Sequence, residues 1–237
     1  MFRNFFICFF LTILSTGKLL SQPQIPSNKY GLPVINDIEQ FKAATTDTNQ
    51  AMVLLRQVLR PFHSHIVYAT PHNFTGIKLY HQPQLFLRLP AARALARVQD
   101  SLLKRGLNIL IFDAYRPYAV TEKMWEVVPD DRYAANPANG SGHNRGTAID
   151  LTLADANTGL PLPMPTDFDN FSDTAHYAFT HLPENVLANR NLLRGVMEHF
   201  GFVALSTEWW HFSLPDAKRF ALLNLSFKQM RRVALKL

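Results

Sequence analysis

The sequence predicts an α+β domain, with helices packed on a small, mostly antiparallel sheet. Three observations point there. Apolar residues recur at helical spacing in some stretches, while shorter runs have the length and alternation of strands. Proline and glycine punctuate the boundaries of these stretches. Their order along the chain suits helices laid on a sheet.

Residues 51–59 are apolar, stopped by Pro61, and fit either a short helix or a strand. Residues 91–105 predict a helix, because Ala91, Ala94, Leu95, Val98 and Leu102 share one face. Pro90 starts it and Gly106 ends it. Residues 108–112, Asn-Ile-Leu-Ile-Phe, predict a buried strand. Pro117 suits the first turn of a helix running to Val128, and Pro129 stops it. Residues 147–153 alternate as a strand does. Residues 191–200 predict an amphipathic helix terminated by Gly201. Residues 202–205 and 209–214 then predict strands. There is no internal repeat and no low-complexity tract.

The chain has 237 residues, enough for one domain with a sizeable core. Residues 1–21 are expected to be a signal peptide. Arg3 precedes an apolar run, Phe5 to Leu14, too short to span a membrane, and small and polar residues follow, with cleavage near Ser21. An uncleaved anchor or a buried helix is the other reading of that run. Residues 22–29 form a polar, proline-bearing linker, and the domain occupies residues 30–237. Export to the periplasm or the extracellular space is therefore expected, with no membrane span after leader removal. The single cysteine, Cys8, lies in the leader, so the mature chain has no disulfide and must rely on its core. Losing Arg3 and Lys18 takes the formal charge from +6 to +4. The basic residues are scattered, apart from a cluster from Lys228 to Lys236, and do not form the concentrated face of a nucleic-acid binder. Oligomeric state is left open.

Two segments carry chemistry. Ser141-Gly-His-Asn-Arg-Gly-Thr-Ala-Ile-Asp150 and Glu208-Trp-Trp-His211 supply two imidazoles and two carboxylates. A catalytic zinc takes three protein ligands and keeps one position open. It also works with a base that is not a ligand. His143, Asp150 and His211 suit the first task and Glu208 the second, which implies one zinc per chain. The spacing poses a problem. His143 and Asp150 are seven apart, and Glu208 and His211 three apart, so a regular strand would put each pair on opposite faces. A turn carrying His143, and a bulge or strand start at Glu208, would resolve it. His63, His65, His72, His81, His176, His181 and His199 lack a motif and are expected to be surface or satisfied histidines. Trp209 and Trp210 are expected to pack in the core. In Asp113-Ala-Tyr-Arg-Pro117, Arg116 either aims its guanidinium at a substrate oxygen or is a structural partner of Asp113. These five residues leave both open.

Asp113-Ala-Tyr-Arg-Pro, the Ser-x-His-x-x-Gly-x-Ala-x-Asp pattern at 141–150 and Glu208-Trp-Trp-His resemble the zinc D-alanyl-D-alanine dipeptidases, which include the vancomycin-resistance dipeptidases. The wider group holds zinc D,D-carboxypeptidases and shares its fold with the hedgehog signalling domain. Tyr68-Ala-Thr-Pro-His-Asn-Phe-Thr-Gly76 and Met164-Pro-Thr-Asp-Phe-Asp169 match the dipeptidase branch. The resemblance implies zinc on His143, Asp150 and His211, Glu208 as general base, and Arg116 stabilising the transition state. It further implies that Asp169 and Tyr68 hold the amino group of a small dipeptide, with Ser141 lining the same pocket. The stretch from Arg116 to His143 is shorter than in the vancomycin-resistance enzymes, which act in the cytoplasm. Two alternatives stand beside this reading: a D,D- or L,D-carboxypeptidase acting on cell-wall stem peptides, and a non-catalytic zinc-binding domain of the hedgehog kind.

Overall fold

A computed structural model describes residues 25–237. The expected signal peptide and the first residues of the linker lie outside the described residues. The rest of that linker is tied to the domain, since Ser27 bridges Pro33 and Lys29 pairs with Glu122 at 3.1 Å.

The elements run β1 (Val34–Ile35), α1 (Ile38–Ala44), β2 (Met52–Leu54), β3 (His63–Ser64), β4 (Phe86–Arg88), α2 (Leu89–Leu103), β5 (Leu107–Asp113), α3 (Tyr118–Val127), α4 (Gly142–Arg145), β6 (Ala148–Asp155), α5 (Glu184–His199), β7 (Val203–Leu205), β8 (Glu208–Ser213), β9 (Leu222–Leu223) and α6 (Phe227–Val233). The central sheet has five strands in the order β3-β5-β6-β8-β7. All its pairings are antiparallel except β3 with β5. Two small pairs, parallel β1–β9 and antiparallel β2–β4, flank it. The α+β class and its mostly antiparallel sheet hold.

Helix α2 begins two residues before the predicted start, with Pro90 in its first turn, and stops short of Gly106 at φ +71°. Its buried stripe includes Leu89, Ala92, Leu95, Val98 and Leu102. That stripe packs on Ile109 and Ile111 of β5 and on Ile149, Leu151 and Leu153 of β6. Each fully buried leucine there contributes about 1.5–3 kcal/mol. Helix α5 joins the same layer through Leu193 and Met197. It starts at Glu184, seven residues before its apolar stripe announces it. Trp209 and Trp210 are buried in this core, edge to face at 5.3 Å, as expected.

Residues 51–59 split. Met52–Leu54 is a strand and Leu55–Gln57 a single 3-10 turn, because β4 offers Met52–Leu54 an antiparallel partner that the sequence does not advertise. In α3, Pro117 caps the helix from outside and does not sit in its first turn. The pairs β1–β9 and β2–β4, together with α1 and α6, enclose a second cluster that includes Met52, Phe86, Tyr80, Tyr115, Phe227 and Met230. Of the histidines without a motif, none is buried.

Candidate active site

Register builds the site. On three adjacent strands, Asp113 of β5 pairs with Asp150 of β6, which pairs with His211 of β8. A bulge between Ile111 and Asp113 adds one residue to β5, so Asp113 and not Phe112 stands opposite Asp150. Strand β8 carries its own register shift against β7, where Ala204 pairs with Phe212 but Leu205 pairs with Glu208. That shift puts Glu208 and His211 on one side despite their spacing of three. Glu208 is thus the first residue of a strand, with the bulge that the spacing requires.

His143 comes from α4, a one-turn helix where a turn was expected. Ser141 caps it reciprocally with Asn144, and Gly146 ends it at φ +71°. Asn144 also donates to the Arg116 carbonyl at 3.0 Å and to Thr121 Oγ1 at 2.8 Å, locking α4 against the segment that carries Arg116. A Cβ on Gly146 would lie 2.6 Å from Met52 Sδ. Gly146→Ala is therefore expected to cost about 1–2 kcal/mol of stability, chiefly for the left-handed backbone. Urea unfolding measures it, and an unchanged midpoint would contradict this account of α4.

The potential metal ligands converge, with one donor atom from each of His143, Asp150 and His211 all lying within 4.8 Å of one another. His143 Nε2 is 3.2 Å from His211 Nδ1 and 3.2 Å from Asp150 Oδ2, and His211 Nδ1 is 2.9 Å from Asp150 Oδ1. Tetrahedral bonds of about 2.0–2.1 Å have edges near 3.3 Å, so the donor set fits zinc. The opposite nitrogen of His143 approaches the Ala114 carbonyl at 2.7 Å. A carbonyl only accepts, so Nδ1 carries the hydrogen and Nε2 keeps a free lone pair for a metal. Burial alone would raise the Asp150 pKa, but the His143 and His211 imidazoles hold it below the usual carboxylate range.

Glu208 stands beside this set, its Oε2 3.9 Å from His211 Nδ1. Burial, then the Asp150 charge, pushes its pKa up to about 8. Arg116 is the partner of Asp113 that one sequence reading offered, and it also lines the cavity. It is ion-paired to Asp113, with Nε and Nη2 at 3.0 and 2.9 Å, and its Nη2 is also 3.8 Å from Asp150. Burial opposes its charge most strongly, but Asp113, Tyr68, Tyr80 and Asp150 together outweigh burial and hold its pKa well above the usual value.

On the opposite wall, Asp169 accepts a hydrogen bond from the Tyr68 hydroxyl at 2.8 Å. Burial, reinforced by Asp150 and Glu208, raises the Asp169 carboxyl well above its usual range. Its φ is +59°, a left-handed conformation that aspartate tolerates better than most residues. Phe168 fixes this loop by stacking on Phe112 at 4.6 Å, and Thr166 does so by accepting from the Trp209 indole at 2.9 Å. Ser141 lines the pocket, with its hydroxyl oxygen committed to the cap.

All eight sequence-selected residues line one cavity of about 230 Å³. Two residues support the site: Asp113, which the sequence offered as a partner for Arg116, and Arg88, which it did not single out. Asp113 also accepts from Tyr80 at 3.0 Å and from the Ala114 amide at 2.9 Å, so its four-way bonding holds Arg116 rigidly. Buried Arg88 donates to the carbonyls of Arg145 and Gln50 and packs between the Phe41 and Phe220 rings, tying α4 to β4. The place of Arg88, just ahead of Pro90, gave no hint of this.

The sequence profile of a family described as D-ala-D-ala dipeptidase matches residues 48–231. A D-alanyl-D-alanine dipeptidase of Escherichia coli (strain K12) is 37% identical over 182 residues, covering 77% of this chain and 93% of that protein. One from Enterococcus faecium is 32% identical over 169 residues, covering 63% of this chain and 84% of that protein. A solved structure described as VanYB in complex with D-Alanine-D-Alanine aligns with 12% identity and a TM-score of 0.39, over 59% of this chain and 77% of its own. By profile and by sequence identity across most of its length, the chain belongs to the D-ala-D-ala dipeptidase family of metallopeptidases.

Proposed function

We propose that this protein is a zinc-dependent dipeptidase that hydrolyses D-alanyl-D-alanine. One observation carries the proposal beyond family membership. A cavity of about 230 Å³ is lined by His143, Asp150 and His211, by buried Glu208 and Arg116, and by the Asp169 carboxyl. Pockets for drug-sized ligands are larger, about 300–1,000 Å³.

His143 Nε2, Asp150 and His211 Nδ1 would hold the metal. Zinc, when bound, supplies Lewis acidity: it brings a water toward ionisation near neutral pH, polarises the scissile carbonyl and opposes the upward push on Glu208. Glu208 takes the proton of the attacking water and passes it to the nitrogen that leaves. Arg116, preset by Asp113, meets the carbonyl oxygen as it becomes negative, and costs no reorganisation at that moment. Asp169, oriented by the Tyr68 hydroxyl, pairs with the free ammonium of the substrate through a charge-assisted hydrogen bond. Ser141 contributes mainly by fixing α4 and hence His143. The products are two molecules of D-alanine, which suits a role in cell-wall peptide metabolism.

Export is proposed on the leader-like pattern of residues 1–21. Among the described residues, no helix is long and apolar enough to cross a membrane.

Purified protein offered D-Ala-D-Ala, L-Ala-L-Ala and a cell-wall pentapeptide tests the proposal. Rapid release of D-alanine from the first alone is expected. Chelation should abolish that activity and added zinc restore it. Full turnover in metal-free protein would end the metal assignment. Preferential cleavage of the pentapeptide would move the chain to the carboxypeptidase reading.

A further inference from the structure

Three loops distant in sequence meet through aromatic rings beside the Tyr68–Asp169 pair of the cavity. Phe74 lies edge-on to Tyr68 at 6.3 Å, and Tyr68 is the residue whose hydroxyl holds Asp169. Phe171, two residues after Asp169, contacts Phe74 edge to face at 5.1 Å. Tyr133 stacks on Phe171 at 4.9 Å with the ring planes 28° apart. Phe74 and Tyr133 line the cavity themselves, whereas Phe171 is not among its lining residues and touches both. All three rings are half-buried.

The loop that carries Tyr133 is braced locally. The Tyr133 and Ala134 amides both donate to the Asp130 carbonyl. The Arg132 guanidinium grips the Asp130 carboxylate and lies over the Tyr133 ring at 5.0 Å. None of these groups belongs to the metal-ligand or base set, so that chemistry does not explain why the rings meet here.

We propose that the Phe74–Phe171–Tyr133 bridge is a steric length filter, which closes the cavity beyond the substrate ammonium and excludes peptides extended at that end. The inference rests on the dipeptidase reading and adds a second determinant to it. Asp169 selects charge, and the bridge selects length. One further residue adds about 3.3–3.6 Å of chain. An extension leaving the Asp169 end of the cavity would run into the rings. Phe171 is a positioning residue in this scheme, holding Phe74 and Tyr133 across the opening. Tyr133 is part of the wall itself.

The two filters separate experimentally. Zinc-loaded wild type, Phe171→Ala, Tyr133→Ala and Asp169→Asn are compared on D-Ala-D-Ala and on the tripeptide D-Ala-D-Ala-D-Ala, with melting temperature as a check on folding. Phe171→Ala and Tyr133→Ala should each raise kcat/KM for the tripeptide about tenfold or more, the scale set by misfitting small groups in a pocket. Asp169→Asn should lower dipeptide turnover without admitting the tripeptide. Phe171→Leu, which keeps part of the ring volume, should give a smaller gain and stands in if Phe171→Ala does not fold. Folded bridge variants that cleave dipeptide but leave tripeptide turnover at the wild-type level would overturn the filter alone. So would a wild type that already cleaves both peptides equally. A wild type inactive on D-Ala-D-Ala would overturn the dipeptidase reading and the filter with it.

Discussion

Glu208→Ala is expected to keep one zinc per chain and to lose turnover by about 10²- to 10⁴-fold, the usual contribution of a positioned general base. The separation of the two effects follows from geometry. Glu208 Oε2 is 3.9 Å from His211 Nδ1, whereas Asp150 Oδ1 is 2.9 Å from the same atom. Glu208 therefore stands outside the close His-Asp-His set. Removing it takes no donor atom from that set. Metal content measured together with kcat decides the matter. If zinc is lost in parallel with activity, Glu208 is a ligand and the assignment of the base is wrong. His211→Ala provides the contrast, since there metal and activity should vanish together.

Asp169→Asn is expected to reduce kcat/KM for D-Ala-D-Ala by about 10- to 100-fold, the scale of a hydrogen bond to a charged group. Asparagine is chosen over alanine for a backbone reason. Residue 169 has φ +59°, which asparagine tolerates and alanine does not. The shape and the contact with Tyr68 are kept, and the carboxyl group, which the ammonium would ionise against the upward push of burial, is lost. N-acetyl-D-Ala-D-Ala, which lacks that ammonium, should be a poor substrate for wild type and no better for Asp169→Asn. The gap between free and blocked substrates then narrows by loss on one side only. Comparable wild-type rates on the two would remove Asp169 from amine recognition and favour the carboxypeptidase alternative.

The candidate ligands and the candidate base were legible in the sequence because their chemistry is local, whereas Tyr68, Ser141 and Asp169 entered only through the family resemblance. His143 and Asp150 share one segment, Glu208 and His211 another, and a buried strand runs straight into the segment that ends in Arg116. Helix α2 was legible for the same reason, since its stripe repeats within fifteen residues and Pro90 and Gly106 bound it. The start of α5 was not. Its first turns are held by contacts such as that of buried Arg190, which donates to the carbonyls of His176 and Phe179, and they carry no strong apolar stripe of their own.

By itself, then, the sequence determined the class of fold and picked out His143, Asp150 and His211 as candidate metal ligands and Glu208 as the candidate base. Residue type and short-range spacing are enough for those. Only the tertiary structure decided how the parts align. The bulge in β5 sets Asp113 opposite Asp150, the register shift in β8 brings Glu208 and His211 to one side, and α4 presents His143 from outside the sheet. It alone revealed buried Arg88 behind α4 and the contact of Phe171 with the Phe74 and Tyr133 rings of the pocket. Each of these depends on which distant segment the backbone pairs with. Pairing over tens of residues is settled by the packing and hydrogen bonding of the whole domain, which no local pattern encodes.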